Sequence, residues 1–430
     1  MWGGGDMSVT MSDARFRAQT NRGELPGLTQ RIDRHLEQYA DFPEGRPVQG
    51  RPPEAGCVIL SSNDYLALAT DPRIVQSQIA ALAGSRNEVM MSGVFLDDGS
   101  SQRRFERELA GFLGAEDVAL CQSGYAANDG LIQILADAIT PVYIDIFAHM
   151  SLWAGAQSAG VKARPFRHNE VGHLASLIAQ HGPGIVVVDA IYSTTGDICP
   201  LAELVTLCER TGSLLVLDES HSIGTFGDRG EGLAGALGLA DRVHFRTFSL
   251  SKAFVGRAGV VAGPARVVDF LRFESRPAIF SSAVLEHDIA RFRATLQVIE
   301  QAGDRRMRLA AQSAKLRAGL ASIGYEVSIS ETQIVPLIAG PEARTVALRR
   351  ALERRDIIGA VFCTPATPKN RSLVRFSMTS ETTDAEIDRV LAVCEDIRDE
   401  MRPDEWPMAR RAGRRQGHQA VTPPRSPVLA

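Results

Sequence analysis

Lysine is nearly missing from this chain. Of 47 basic residues among 430, only Lys162, Lys252, Lys315 and Lys369 are lysines, and the other 43 are arginines. Where any positive charge serves, the chain uses arginine, so the few lysines form a short list of places for an amine that can lose its proton. Charge of one sign is not in excess either. With 51 acidic residues the net charge is −4, which argues against a chain built to bind nucleic acid or an anionic membrane. The six cysteines (Cys57, Cys121, Cys199, Cys208, Cys363 and Cys394) contain no Cys-x-x-Cys pair and have no histidine at zinc-finger distance. Reduced thiols and no metal site are therefore expected. Nowhere do about twenty uncharged apolar residues run together, and the N-terminus carries no continuous apolar segment of the signal-peptide kind. We expect a cytoplasmic protein with no membrane span. At 44% apolar and 23% charged residues, the composition is that of a globular chain.

Residues 1–55 mix Gly, Pro and charge around one short amphipathic stretch, Leu28 to Tyr39, and read as an N-terminal arm. From Ser101 onward, short apolar runs alternate with helical periodicity. The runs are VALC (118–121), VYIDIF (142–147), IVVVDA (185–190), LLVLDES (214–220), VHFRTFS (243–249) and AGVVAG (258–263). Strands apolar on both faces and separated by helices describe an α/β domain with a large, mostly parallel sheet covered on both sides. We place this large domain at 56–290. A long helical stretch, interrupted near Gly303, leads to QIVPLI (333–338), a helix over 345–355, the strand LVRFSM (373–378) and a last helix over 382–401. Residues 291–401 thus form a bridging helix and a small C-terminal α+β domain. Residues 402–430, rich in Arg, Pro and Gly, read as a disordered basic tail.

In open α/β sheets, ligands bind beyond the carboxyl ends of the strands. Those ends carry Gln122-Ser123-Gly124-Tyr125, Asp145 with His149, Asp189 with Tyr192-Ser193, Asp218-Glu219-Ser220-His221 and Ser249-Leu250-Ser251-Lys252. A strand, a Ser-Gly turn and a helix at 123–125 make an anion site, or a simple N-cap. Asp218 ends a buried strand, where a carboxylate is costly unless a cation meets it; the alternatives are a metal pair, a protonated ring nitrogen or a capping role. Lys252 has the surroundings of a Schiff-base amine, or of a phosphate-binding or surface lysine. Pyridoxal phosphate needs a phosphate cradle, an acid at its pyridinium nitrogen and a lysine, so the three together carry more than any one alone. His149 fits a ring stacked on a planar cofactor or a satisfied core residue. Arg375, inside an apolar strand, fits a substrate carboxylate or a structural salt bridge.

The order SNDYLAL (62–68), SGYAAN (123–128), Asp145-x-x-x-His149-x-Ser151, IYSTTGDICPL (191–201), DESHSIGTFGDRGEG (218–232) and SLSK (249–252) resembles the α-oxoamine synthases. These are fold-type I (aspartate aminotransferase-like) pyridoxal-phosphate transferases that join an amino acid to an acyl-CoA. YIDIFAHMSLW, HGPGIVVVDAIYST, RPAIFSS and VFCTPATPKN look most like the CqsA-type α-hydroxyketone autoinducer synthase branch. The resemblance implies that Lys252 carries the cofactor and shuttles the proton, and that Asp218 holds the ring nitrogen. It gives His221 and Ser193 the phenolic oxygen, and His149 the ring face. Ser123, Gly124, Tyr125 and Ser249 would surround the phosphate, with Ser281 or Ser282 reaching it from the partner subunit of a homodimer. Asn63 and Arg375 would address the amino donor. The implied reaction joins a medium-chain acyl-CoA to S-adenosylmethionine or a 2-aminobutyrate-like donor, giving an aminoketone precursor of a quorum-sensing signal. A glycine- or alanine-using member, such as an 8-amino-7-oxononanoate synthase, is the alternative.

Two departures bear on that choice. Glycine-using members resemble one another in a G-x-G-x-x-x-S-R segment, where this chain reads MMSGVFLDDGSSQRRFE (90–106). Their F-G-x-x-G-G run after the lysine is here Phe254-Val255-Gly256-Arg257-Ala258-Gly259. A nucleotide-binding dehydrogenase would also fit the α/β alternation, but lacks its G-x-G-x-x-G here. A catalytically dead interaction protein would not retain Lys252, Asp218 and His221 together.

Overall fold

The computed structural model describes residues 26–37, 48–84 and 91–408. The chain divides into a unit ending at Gly50 and a second beginning at Arg51. In the first, Pro26–Glu37 form a helix over most of the expected amphipathic stretch. The rest of the expected arm up to residue 47 lies outside the described residues.

The second unit holds, in chain order, strands β1 (Val58–Leu60), β2 (Asp117–Cys121), β3 (Val142–Asp145), β4 (Arg164–Phe166), β5 (Ile185–Asp189), β6 (Leu214–Asp218), β7 (Phe245–Ser249), β8 (Gly259–Gly263), β9 (Ile334–Gly340), β10 (Ile357–Phe362) and β11 (Ser372–Ser377). Seven of them form one sheet in the order β2-β8-β7-β6-β5-β3-β4. All neighbours from β4 to β7 are parallel, while β8 runs antiparallel to both β7 and β2. Alternate residues of the parallel strands enter different apolar clusters: Tyr143, Val186, Val188, Leu215 and Leu217 on one face, Val142, Ile144, Ile185, Val187 and Val216 on the other. That two-sided burial is why these segments read as continuous apolar runs. The strand order reverses between β3 and β5, so their carboxyl ends flank the topological switch point where such sheets bind ligands.

The second sheet has the order β1-β10-β11-β9, with β1 parallel to β10 and the others antiparallel. The helices Glu286–Glu300 and Gly303–Ser322 precede β9, β10 and β11, broken where the sequence suggested. The C-terminal helix Asp384–Asp396 starts at a capping box, in which the Thr383 hydroxyl accepts from the Glu386 N–H and the Glu386 carboxylate accepts from the Thr383 N–H.

The structure corrects the expected boundaries at both ends. Residues 58–60, expected in the large domain, pair with β10 in the smaller sheet, because their apolar partners lie about 300 residues away in sequence. The folded chain also runs past Arg402. Trp406 is only 2% exposed, lies edge-on to Tyr325 at 5.5 Å and donates its indole N–H to the Met401 carbonyl at 2.9 Å. The expected tail from 409 onward lies outside the described residues. Truncating a buried aromatic costs roughly 3–5 kcal/mol. Trp406→Ala will therefore lower the unfolding free energy by an amount of that order, read as a lower urea midpoint at unchanged m, whereas an unchanged midpoint would return 402–408 to the tail.

Candidate functional site

The carboxyl ends of β2, β5, β6 and β7 and the segment after β3 open onto a cavity of about 230 Å³. It is lined by Ser123, Gly124, Tyr125, Asn128, His149, Asp189, Asp218, Ser220, His221, Ser249, Ser251 and Lys252. Eight residues expected at the site thus meet in one place: Ser123, Gly124, Tyr125, His149, Asp218, His221, Ser249 and Lys252.

At one side, the helix Gly124–Leu135 begins. The Ser123 hydroxyl accepts from the Ala126 N–H at 3.1 Å and the Ser123 carbonyl from the Ala127 N–H at 3.0 Å. The two helical N–H groups before them, of Gly124 and Tyr125, remain for an anion at the positive helix end. Glycine is required at 124, since a Cβ there would lie 2.7 Å from that of Ser249. The Ser249 and Ser251 hydroxyls sit 2.7 Å apart beside it.

Asp218 is buried and held in a fixed orientation. Asn128 Nδ2 donates to Asp218 Oδ2 at 2.7 Å and to the Ser151 hydroxyl at 2.9 Å, and the Ser220 N–H donates to Asp218 Oδ1 at 2.8 Å. The Thr247 hydroxyl, donating to Asn128 Oδ1 at 2.5 Å, fixes which way the amide faces. Asp189 is paired in register with Asp218 on the adjacent parallel strand. Burial, and then the charge of Asp218, push Asp189 well above the usual carboxylate range.

Burial, followed by Arg375, lowers the Lys252 amine, with Asp218 and Asp189 opposing. A lowered amine has a larger unprotonated, nucleophilic fraction. Desolvation, then Lys252, holds His149 below the ordinary imidazole value, against the pull of Asp218. Its Nδ1 lies 2.7 Å from the Ser151 hydroxyl. His221 is buried and pushed well down, first by burial and then by Lys252 and Arg375. Its Nδ1 is 2.6 Å from the Tyr65 hydroxyl.

Arg375, Asn63 and Ser193 lie outside the cavity lining but connect to it. Arg375 donates to Asn63 Oδ1 at 2.9 Å and to the Ser193 carbonyl at 2.8 Å, and its guanidinium covers the Phe362 ring at 4.7 Å. Asn63 Oδ1 also lies 3.2 Å from the Tyr65 hydroxyl. No carboxylate among the described residues pairs with Arg375, which is 4% exposed, and its Nε has no hydrogen-bond partner. Ser281 and Ser282 do not line this cavity. The Ser281 hydroxyl donates to the Pro277 carbonyl, and Ser282 forms an antiparallel bridge with Ser92.

The sequence reading assigned no role to Asn128, Tyr65 or His168. Asn128 stands four residues after Gly124, one helical turn on, which is a readable signal. Tyr65 lies within a quoted motif but contacts the site only through the tertiary fold. His168 has Nδ1 3.0 Å from Asp145 Oδ1, and Nε2 meets Asp197 Oδ2. Burial alone would lower His168, but the two carboxylates reverse this and push it up to about 9.

The aminotransferase class I and II family model matches residues 55–393. A CAI-1 autoinducer synthase of Vibrio campbellii is 44% identical over 375 residues, covering 86% of this chain and 95% of that protein. An 8-amino-7-oxononanoate synthase of Anaeromyxobacter dehalogenans is 35% identical over 368 residues, covering 84% of this chain and 93% of that protein. Among solved structures, a serine palmitoyltransferase of Sphingomonas wittichii aligns with a TM-score of 0.78 at 25% identity, over 88% of this chain and 99% of that one. Among the described residues no helix is long and apolar enough to cross a membrane.

Because His168 is raised from 6.5 to about 9, its stabilising contribution is fully present below pH 6.5 and is lost as pH rises to about 9. The thermal midpoint of the wild type should exceed that of His168→Asn by most at pH 6, and the gap should narrow across this window. A gap constant from pH 6 to 9.5 would contradict a charged His168.

Proposed function

This chain belongs to the aminotransferase class I and II family, and from that premise we propose that it is a pyridoxal-phosphate-dependent α-oxoamine synthase. Its reaction joins a medium-chain acyl-CoA to S-adenosylmethionine or a 2-aminobutyrate-like donor, giving an aminoketone precursor of an α-hydroxyketone signal, in the cytoplasm. The observation that carries the reading is the convergence in one cavity of a helix N-terminus, a hydrogen-bonded buried carboxylate and a lysine of lowered basicity. These donors fit the cofactor: an anion cradle, an acid for a ring nitrogen and a covalent amine. The bound cofactor supplies the electron sink for a carbanion at the donor's Cα.

The protein's own groups do the rest. The N–H groups of Gly124 and Tyr125 and the Ser123 and Ser249 hydroxyls bind the phosphate. Asp218, kept in place by Asn128 and the Ser220 N–H, accepts from a protonated ring nitrogen. His149 would hold the cofactor's ring, and His221 and Ser193 would address its phenolic oxygen. Lys252 Nζ would hold the cofactor covalently and would serve as the base that moves the donor's Cα proton. Arg375 is a buried cation without a carboxylate partner among the described residues, which suits it to the donor's carboxylate, with Asn63 beside it. Ser281 or Ser282 completes the phosphate site of the other subunit in a homodimer. The difference between two relatives supports this branch: the 44% identity to the CAI-1 autoinducer synthase exceeds the 35% to the 8-amino-7-oxononanoate synthase. The second relative supports the alternative, a glycine- or alanine-using synthase.

Purified protein will show a visible cofactor band that Lys252→Ala alters. With a medium-chain acyl-CoA it will release free CoA on addition of S-adenosylmethionine or 2-aminobutyrate. Turnover with glycine or alanine alone would select the alternative, and the absence of any cofactor band would end the reading. Asp218→Asn should retain cofactor while slowing condensation by about a hundredfold or more. Light scattering will give the mass of two chains, and a monomer that turns over at full rate would remove the shared-site assignment of Ser281 and Ser282.

A further inference from the structure

We propose that His168 is a positioning residue for amino-donor recognition, tying the segment after β3 to the turn after β5 so that Ser193 holds Arg375 at the donor's carboxylate. The inference rests on the functional reading above.

The geometry begins with the two ring nitrogens. Nδ1 faces Asp145 Oδ1 at 3.0 Å and Nε2 faces Asp197 Oδ2. A carboxylate oxygen only accepts, so both nitrogens must donate, and the ring is an imidazolium bridging two acids. A neutral ring would set one nitrogen lone pair against a carboxylate.

Each acid in turn organises its own segment. Asp145 ends β3 and accepts from the Phe147 N–H at 2.8 Å and the Asn169 N–H at 2.9 Å, shaping the backbone that leads to His149. Asp197 accepts from the Thr195 hydroxyl at 2.5 Å and from Asn169 Nδ2 at 3.0 Å. The turn it closes has the Tyr192 N–H on the Asp197 carbonyl at 3.1 Å and the Gly196 N–H on the Tyr192 carbonyl at 2.9 Å. Ser193 sits inside that turn, and its carbonyl accepts from Arg375 at 2.8 Å. The imidazolium is enclosed by Phe147, 4.4 Å between ring centroids, and by Tyr192, edge-on at 4.4 Å.

A ring that only filled space would need neither acid. Here a cation holds two acids together, one on the segment bearing His149 and the other on the turn that carries the Arg375 contact. Losing it leaves Asp145 and Asp197 facing each other uncompensated, and the repulsion falls on the turn that carries Ser193.

The test uses holoenzyme of the wild type, His168→Asn and Asp197→Asn, titrated with 2-aminobutyrate and with 2-aminobutanamide while the cofactor band is followed. The amide has the same amine and side chain but no carboxylate. In both variants the half-saturating concentration of 2-aminobutyrate should rise about tenfold, the scale of one charged hydrogen bond lost, while that of the amide moves less than about twofold. Equal weakening of both ligands, or of neither, would overturn the proposal. Hydrogen exchange of the unliganded protein is read in parallel. The amides of 192–197 should exchange faster in both variants while those of β5 and β6 do not, and unchanged exchange at 192–197 would overturn the proposal by itself. A wild-type band that responds to no amino compound defeats the functional reading instead, and the exchange data still decide whether His168 orders the turn.

Discussion

The fold has to keep a row of carboxylates buried and solvated by protein. Parallel strands β3, β5 and β6 end on Asp145, Asp189 and Asp218, with 0%, 3% and 5% exposure. Register on adjacent strands places Asp189 and Asp218 side by side. Such groups are tolerated only when donors or cations meet them, because a bare buried charge costs far more than the net stability of a domain. The sequence answers each acid differently. His168 bridges Asp145 to Asp197, Asn128 and the Ser220 N–H hold Asp218, and Asp189 accepts from the His149 N–H at 3.2 Å with its own ionisation pushed up. The parallel sheet produces the acid row, and the loops beyond it are shaped by the need to satisfy that row.

The second sheet reaches the same site through a polar chain. Arg375 on β11 contacts Asn63, Asn63 contacts Tyr65, and Tyr65 contacts His221 on the loop after β6. Gln333, just before β9, donates to the His221 carbonyl at 2.8 Å, so His221 is fixed at both its ring and its backbone by residues of other elements. Desolvation dominates this region. It lowers the basicity of Lys252, His221 and Arg375 together, and the charges of Lys252 and Arg375 add to the fall of His221. The site therefore favours neutral bases around an amine, beside a buried guanidinium that no carboxylate among the described residues meets.

Much of this was legible in the sequence because it depends on local pattern. Strands apolar on both faces, the Ser123 cap and the residues closing each strand are written within a few positions of one another. What was not legible depends on distant pairing. The three residues of β1 carry too little period to assign to a sheet, and their partners are at 357–359. β10 is intermediate in exposure along residues 359–362 and did not stand out as a buried run. His168 follows the short strand β4 in a polar stretch, and only the fold brings Asp145 and Asp197 to its two nitrogens. Trp406 sits among Arg, Pro and acidic residues, so composition alone assigned to solvent a side chain that packs on Tyr325.

The loop that carries Lys252 shows how a β-branched side chain is accommodated in a left-handed turn. Val255 adopts a left-handed backbone with φ of 47°, which a β-branched residue takes only at a cost of roughly 1–3 kcal/mol. Glycine would remove that cost, so the surrounding contacts must enforce the conformation. They do so from both sides: the Val255 N–H donates to the Lys252 carbonyl at 2.9 Å, and its carbonyl accepts from Arg291 Nε at 2.9 Å. The next residue cannot share the burden, because a Cβ on Gly256 would fall 2.1 Å from Phe292 Cε1. The turn is thus determined by the packing of Gly256 against the helix Glu286–Glu300 and by the Arg291 contact from that same helix. Lys252 is positioned by an element more than thirty residues downstream, and the same element holds the backbone at 255 in place.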